Sequence, residues 1–341
     1  MFSTLIEKLA RPADLTAAEA AAAMDAIMAG DAAPAEIAGF LVGLRMKGER
    51  PAELVGLARA MRAHAVPLSR PAPGAFDTCG TGGDRSGTFN ISTAAALVVA
   101  GCGVPVAKHG NRSVSSRCGS ADVLEALGVT ISAPPAVVEQ CLAEAGVAFF
   151  FAPVFHPAMK HAAAARRDLG VRTAFNLLGP LTNPAAPARQ IVGVPRPELT
   201  ELLARTLQQL GATRAWVVHG ADGLDELSTT GYTKVSECLP DSVKTFYLHP
   251  AEFGLAKATP AALAGGDAAD NAAIVKRVLS GEAGPARDVV LLNAGAALLV
   301  AGAAGSVAEG IAMARRGIDS GAAASALARL VAVSGQAGSA A

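Results

Sequence analysis

Apolar side chains at Ile37, Phe40, Leu41 and Leu44 recur at three- and four-residue spacing, which puts them on one stripe of a helix. Helical punctuation surrounds that stripe over the first 70 residues. Thr16-Ala17-Ala18-Glu19 has the form of a capping box, in which the two polar side chains satisfy each other's free amides. The helix it starts is expected to run toward Gly30, a good residue for a C-terminal cap. A second helix is expected from near Pro34 to near Gly48. A third begins at Pro51, a favourable first-turn position, and runs to about His64. The stretch Pro67–Gly74 carries three prolines and reads as a linker.

From Phe76 the pattern changes to short apolar runs alternating with helices. Val104–Ala107, Val147–Phe151, Ile191–Val194 and Ala215–Val218 read as buried strands. Ser120–Leu127, Ala136–Ala145, Glu198–Leu210 and Asn271–Leu279 read as helices. Such alternation implies an α/β domain with a largely parallel sheet, beside the small helical one. Ligands of these sheets bind at loops beyond the carboxyl ends of the strands. The most apolar windows, Ile91–Ala107 and Val289–Ala304, contain glycine and fall short of the roughly 20 residues of a membrane span. They read as buried core, and no membrane partner is expected.

Composition narrows the function classes. The chain has 341 residues, with 29 basic side chains against 29 acidic ones. Without excess Lys and Arg, a general nucleic-acid binder is disfavoured. Charged residues are 17% of the chain and hydrophobic ones 51%, which argues against disorder. The five cysteines show no CxxC pairing and are odd in number, as expected of reduced thiols in the cytoplasm. The N-terminal residues lack a basic region followed by a long apolar core, so no signal peptide is expected.

Four segments could carry chemistry. Asp77-Thr78-Cys79-Gly80-Thr81-Gly82-Gly83-Asp84 is a glycine-rich stretch after a strand, and a helix follows near Asn90-Ile91-Ser92-Thr93. It is either an ordinary turn or a nest of amides for phosphate, helped by the helix N-terminus. Neither GxxxxGK[ST] nor GxGxxG occurs there, which speaks against a P-loop and a Rossmann dinucleotide site. Lys108-His109-Gly110-Asn111-Arg112-Ser113-Val114-Ser115-Ser116-Arg117, directly after the run Val104–Ala107, is either a solvated basic loop or an inventory for phosphate and sugar oxygens. Asp222-Gly223-Leu224-Asp225-Glu226 is either a solvated acidic turn or a set of hard oxygen ligands for Mg2+. Arg166 or Arg172 could hold a substrate acid through its planar fork, or serve a helix end by pairing with Asp168 or capping carbonyls. HExxH, GxSxG and zinc-type Cys/His spacing are missing, and His156 and His161 are five apart, which is wrong for one helical face.

In order, GTGGD at Gly80–Asp84, NIST at Asn90–Thr93, KHGNRSVSS at Lys108–Ser116, GSADVLEALG at Gly119–Gly128, LGVRTAFNLLGPLTNP at Leu169–Pro184 and DGLDE at Asp222–Glu226 resemble the anthranilate phosphoribosyltransferase family. The likeness covers nearly the whole chain, with Arg117-Cys118 standing where the family often has lysine and a small residue. It implies a helical domain over 1–72 joined by 164–187, an α/β domain over 73–163 and 188–341 of nucleoside phosphorylase/phosphoribosyltransferase type, and a homodimer. It also implies transfer of phosphoribose from phosphoribosyl diphosphate to anthranilate, with release of diphosphate, in tryptophan biosynthesis. By position, Gly80, Gly83, Asp84, Thr88, Asn90, Ile91, Ser92, Thr93, Lys108, His109, Gly110, Asn111, Arg112, Ser113, Val114, Ser115, Ser116 and Ser120 would contact phosphoribosyl diphosphate. Ser92, Asp225 and Glu226 would reach Mg2+, and Gly80, Asn111 and Arg166 would meet anthranilate. No general acid or base is assigned, because the aromatic amine is already neutral at pH 7 and the charge on the leaving diphosphate needs donors and a metal more than a nucleophile. A pyrimidine nucleoside phosphorylase shares the general architecture, but the intact GTGGD and DGLDE segments and Asn176–Pro184 favour the transferase. The neutral charge and the retained metal pair argue against a catalytically silent nucleic-acid binder.

Overall fold

A computed structural model describes residues 1–113 and 117–336. The chain opens with four helices: α1 (Phe2–Ala10), α2 (Ala17–Ala29), α3 (Pro34–Lys47) and α4 (Pro51–Ala63). The Thr16/Glu19 capping box starts α2, and Gly30 closes it in the left-handed region at φ 86°. Pro34 and Pro51 occupy first turns as expected. The helix α1 was not among the expected ones. Its Phe2, Leu5 and Leu9 are buried against α3, so tertiary packing rather than any cap signal makes it.

The alternating part follows as β1 (Phe76–Gly80), α5 (Ile91–Gly101), β2 (Val106–Gly110), α6 (Ser120–Ala126), α7 (Pro135–Ala145) and β3 (Val147–Phe151). Next come α8 (Ala152–Phe155), α9 (Lys160–Leu169), α10 (Phe175–Leu178), β4 (Arg189–Gly193), α11 (Leu199–Gln209) and β5 (Arg214–Gly220). The chain closes with β6 (Thr233–Leu239), β7 (Ser242–Leu248), α12 (Ala268–Leu279), α13 (Pro285–Ala301), α14 (Val307–Asp319) and α15 (Ala322–Gly335). The first apolar window becomes α5 and the start of β2, and the second becomes most of α13; both helices are buried along most of their length. Among the described residues no helix is long and apolar enough to cross a membrane.

One strand boundary matters for the site. The run expected at Val104–Ala107 is shifted: β2 spans Val106–Gly110, paired with β3 from Val106↔Val147 to Gly110↔Phe151. Lys108, His109 and Gly110 are therefore strand residues rather than members of the loop that follows. Lys108 and His109 are buried there, at 3% and 5% exposure, with the Lys108 ammonium and the His109 amide held by neighbouring segments.

The seven strands run in the order β3-β2-β1-β4-β5-β6-β7, parallel from β3 to β5, with β6 and β7 added antiparallel. The chain builds outward from β1 in one direction and then restarts at β4 in the other. The β1/β4 boundary is thus the topological switch point, where a crevice opens beyond the carboxyl ends. Side chains alternate across the sheet with period two. Ile191, Trp216 and Val218 join the core under α5 and α13, while Val192, Val217 and Ala215 join the core shared by α11 and the helices α1–α4. Ala162 and Ala165 of α9 and Phe175 of α10 also belong to that second core.

Candidate active site

Asp225 lies at the switch point because two glycines leave room for it. Gly80 ends β1 and Gly193 ends β4, and the two are partners in register. A Cβ at Gly193 would overlap the main-chain oxygen of Asp225, and one at Gly80 would overlap its carboxylate. The Asp225 carboxylate then accepts from the Gly82 amide at 3.0 Å, and Glu226 accepts from the Ser92 amide in the first turn of α5 at 3.1 Å. Burial raises the pKa of both acids, reinforced by Asp84 at Asp225 and by Asp225 at Glu226. The acidic turn divides here: Asp222 instead accepts from Ser228 Oγ at 2.9 Å and braces its own loop.

These carboxylates suit a hard cation. Asp84, Asp225, Glu226 and Ser92 offer only oxygen, and two of the acids are buried where the charged form is disfavoured. Among the described residues no three His, Cys, Asp or Glu side chains converge into a complete cage. A cation held here would fill its shell with water or substrate oxygens.

The glycine-rich segment carries Gly82 and Gly83 in the left-handed region, at φ 67° and 80°. Thr88 bridges to Ala264, and Asn90 precedes α5 with its Oδ1 accepting from Asn271 Nδ2 at 3.0 Å. Asn90 Nδ2 reaches Cys118 O at 3.4 Å. Ile91 and Thr93 are buried in the first turn of α5. On β2, the Lys108 ammonium donates to Thr78 O at 2.6 Å, and the His109 amide donates to Asp77 Oδ1 at 3.2 Å. Beyond the strand, Arg112 pairs with Asp122 at 2.9 Å and Glu125 at 2.8 Å. The Asp122 carboxylate gathers the amides of Ser113 and Gly119. Ser120 opens α6, with its hydroxyl 3.4 Å from Asn111 O. Val114, Ser115 and Ser116 lie outside the described residues.

A cavity of about 520 Å³ adjoins this crevice. Gly80, Asn111 and Arg166 all line it, so three positions far apart in sequence meet in one wall. Arg166, on α9, sits 4.9 Å over the Phe175 ring, and burial lowers its pKa. His109 and His156 also line the cavity, ring centroids 5.3 Å apart. His109 Nδ1 donates to Gly179 O at 2.9 Å, leaving Nε2 without a partner, as is His156 Nε2. Burial, with His156 beside it, pushes the His109 pKa down to about 3, and burial pushes His156 to about 4. Both rings are neutral at physiological pH. Arg172, the other candidate for a substrate acid, is not in this wall: its guanidinium donates to Gly82 O at 2.6 Å.

Sequence reading missed three site residues. Gly193 looked like an ordinary strand end, although a glycine at a strand's carboxyl end beside a crevice is itself a signal. Asn183 is buried and donates to both Asp77 Oδ2 and Ala107 O at 2.8 Å, locking the segment after α10 onto β1 and β2. His156 was weighed only as a metal ligand.

The profile of the Glycosyl transferase family helical bundle domain matches residues 3–65, and that of its a/b domain matches residues 72–324. The chain is 58% identical over 332 residues to an anthranilate phosphoribosyltransferase of Moorella thermoacetica, covering 97% of this chain and 98% of that one. The chain belongs to the anthranilate phosphoribosyltransferase family. Another family member, from Rhodopseudomonas palustris, is 52% identical over 98% of both chains. The crystal structure of the Thermus thermophilus anthranilate phosphoribosyltransferase superposes with a TM-score of 0.91 at 48% identity, covering 97% of this chain and 99% of that one. The Saccharomyces cerevisiae anthranilate phosphoribosyltransferase in complex with PRPP and Mg has the same TM-score at 29% identity, covering 98% of both chains. The helical bundle beside a mostly parallel sheet is thus the fold of the family.

Proposed function

We propose that the chain transfers phosphoribose from phosphoribosyl diphosphate to the amine of anthranilate, giving N-(5-phosphoribosyl)anthranilate and diphosphate in tryptophan biosynthesis. One observation carries this reading: an apolar cavity, with an arginine that has no carboxylate partner among the described residues, opens beside a glycine-rich loop and a buried acid pair. Arg166 has the fork for the carboxylate, and Phe175 and the neutral histidines suit an aromatic ring. Gly80, Gly83, Asp84, Thr88, the stretch from Asn90 to Thr93, the stretch from Lys108 to Ser116, and Ser120 hold the diphosphate and phosphoribose. Asp225 and Glu226, with Ser92, hold Mg2+. A bound Mg2+ would supply positive charge against the departing diphosphate.

In the reaction, the bond between ribose C1 and the diphosphate oxygen breaks, and the neutral amine bonds to C1. The nitrogen then loses a proton to water or to the leaving diphosphate. Loop amides stabilise the growing negative charge, and the cavity orients the amine. Neutral His109, already donating through Nδ1, leaves no strong base at the cavity wall.

The same reading divides the chain into 1–72 with 164–187 and 73–163 with 188–341, supported by the packing of Ala165 and Phe175 with the helical core. A homodimer is the assembly the family resemblance implies. A cytoplasmic setting is supported by five free cysteines. The test is to mix protein, anthranilate, phosphoribosyl diphosphate and Mg2+ and follow anthranilate fluorescence. Steady loss of signal is expected. No loss, or phosphorolysis of thymidine instead, overturns the reading.

A further inference from the structure

Arg172 lies on the loop between α9 and α10, and it serves the glycine-rich segment from behind. Its Nη2 donates to Gly82 O at 2.6 Å and reaches Thr81 O at 3.4 Å. The guanidinium also fills the space beside Gly83, where a Cβ would overlap it. The main-chain oxygen of Arg172 is itself held by the Arg45 guanidinium, from the last turn of α3. Arg172 is thus fixed by the helical bundle at one end and grips the loop at the other.

Peptide geometry turns this grip into aim. The described residues contain no cis peptide, and in a trans peptide the carbonyl and the next amide point in opposite directions. Drawing the Thr81 carbonyl toward Arg172 turns the Gly82 amide away from it. That amide is found on Asp225 Oδ2 at 3.0 Å. Drawing the Gly82 carbonyl the same way turns the Gly83 amide away from Arg172 as well. Among the described residues no acceptor takes that amide. A cation on the carbonyl also polarises the peptide and strengthens the amide as a donor.

We infer that Arg172 is a positioning residue for diphosphate: it sets the two peptide planes so that the Gly83 amide is presented to the anion. The inference rests on the assignment of this loop to phosphoribosyl diphosphate. It explains why the position takes an arginine: Nη2 serves both carbonyls while Nη1 of the same rigid plane lies beside Gly83, an arrangement the single ammonium of a lysine does not reproduce.

The test uses the full chain with Arg172→Gln and Arg172→Lys. Sodium pyrophosphate binding is measured by calorimetry with Mg2+ present, alongside KM for each substrate and thermal melting. Arg172→Gln is expected to weaken pyrophosphate binding and raise KM for phosphoribosyl diphosphate about tenfold. KM for anthranilate should stay within about twofold, and Arg172→Lys should recover part of the loss. A folded Arg172→Gln with unchanged pyrophosphate affinity overturns the inference, as does an equal rise in both KM values. If Arg172→Gln does not fold, Arg172→Lys decides: about threefold weaker pyrophosphate binding supports the role, and none refutes it. Calorimetry needs no turnover, so wild-type protein that binds pyrophosphate without consuming anthranilate would sink the proposed reaction alone. Wild-type protein that binds no pyrophosphate would sink both.

Discussion

Replacing Arg166 by methionine should separate substrate recognition from stability. The neighbouring Arg167 faces Asp168 at 3.7 Å, but Arg166 has no carboxylate partner among the described residues, and burial alone lowers its pKa. Its guanidinium lies over Phe175 at 4.9 Å, so much of its packing comes from the stem and ring face. Methionine keeps that packing and removes the cation. A charge-assisted hydrogen bond contributes about 1.5–3 kcal/mol. Losing the fork's grip on a carboxylate should therefore cost about 3 kcal/mol, or roughly 100-fold in kcat/KM for anthranilate. The KM for phosphoribosyl diphosphate should move less than about threefold, since Arg166 sits in the cavity and not in the loop. Stability should hold or rise by about 1 kcal/mol, because an uncompensated, half-buried cation has been taken away. Steady-state kinetics with each substrate varied, and urea unfolding of the same preparation, give both numbers. A loss shared equally between substrates, or a drop of several kcal/mol in stability, would refute the reasoning.

Asn183→Ala should destabilise the fold by about 3–5 kcal/mol, because it strips donors from buried Asp77 and Ala107 O at about 1–3 kcal/mol each and leaves a cavity; a urea midpoint shift worth under about 1 kcal/mol would contradict this. Asp225 and Glu226 have pKa values raised by burial, so above the ordinary carboxylate range the folded chain binds more protons than the unfolded one. With EDTA present, their contribution to stability should fall as pH rises from about 4 toward neutrality. Asp225→Asn with Glu226→Gln should flatten that slope, and an unchanged slope in the double variant would remove the assignment. His109→Asn keeps a donor for Gly179 O and should retain turnover within about tenfold, while the wild-type pH profile of kcat/KM shows no histidine limb between about pH 5 and 8. Abolished turnover with both substrates still bound would show that the ring acts as a base after all.

Where local signals are strong, sequence and structure agree closely. The Thr16/Glu19 box, Gly30 and the first-turn prolines end elements within a residue or two of where the chemistry requires. Four of the five parallel strands were legible as apolar runs because both of their faces are covered, although β2 begins two residues later than expected; β1 was not, because Asp77, Thr78 and Gly80 break its apolar pattern and read as part of the glycine-rich stretch. The antiparallel pair β6 and β7 was not, since the outer strand β7 is largely uncovered and carries polar residues with exposed Tyr247. At the site, the acid pair, the glycine-rich loop and Arg166 could be found as motifs. The notch at Gly193 could not, because it depends on which strand lies beside β1. Arg172 and Arg166 looked alike in sequence, and only the backbone carbonyls facing one and the cavity facing the other separate their roles.

The second core has a practical consequence for anyone cutting this chain. Two family profiles meet across residues 65–72, which looks like a natural place to sever one module from another. Yet Val192, Val217 and Ala215 of the sheet share one apolar cluster with Phe40, Leu44 and Leu57 of the bundle. Separate expression of the two pieces would leave each with a raw oily surface, prone to stick to itself or to its missing half. Heat or urea should melt the intact chain in one cooperative step across that seam. Fragment complementation, rather than independent folding, is the behaviour to expect from a split version.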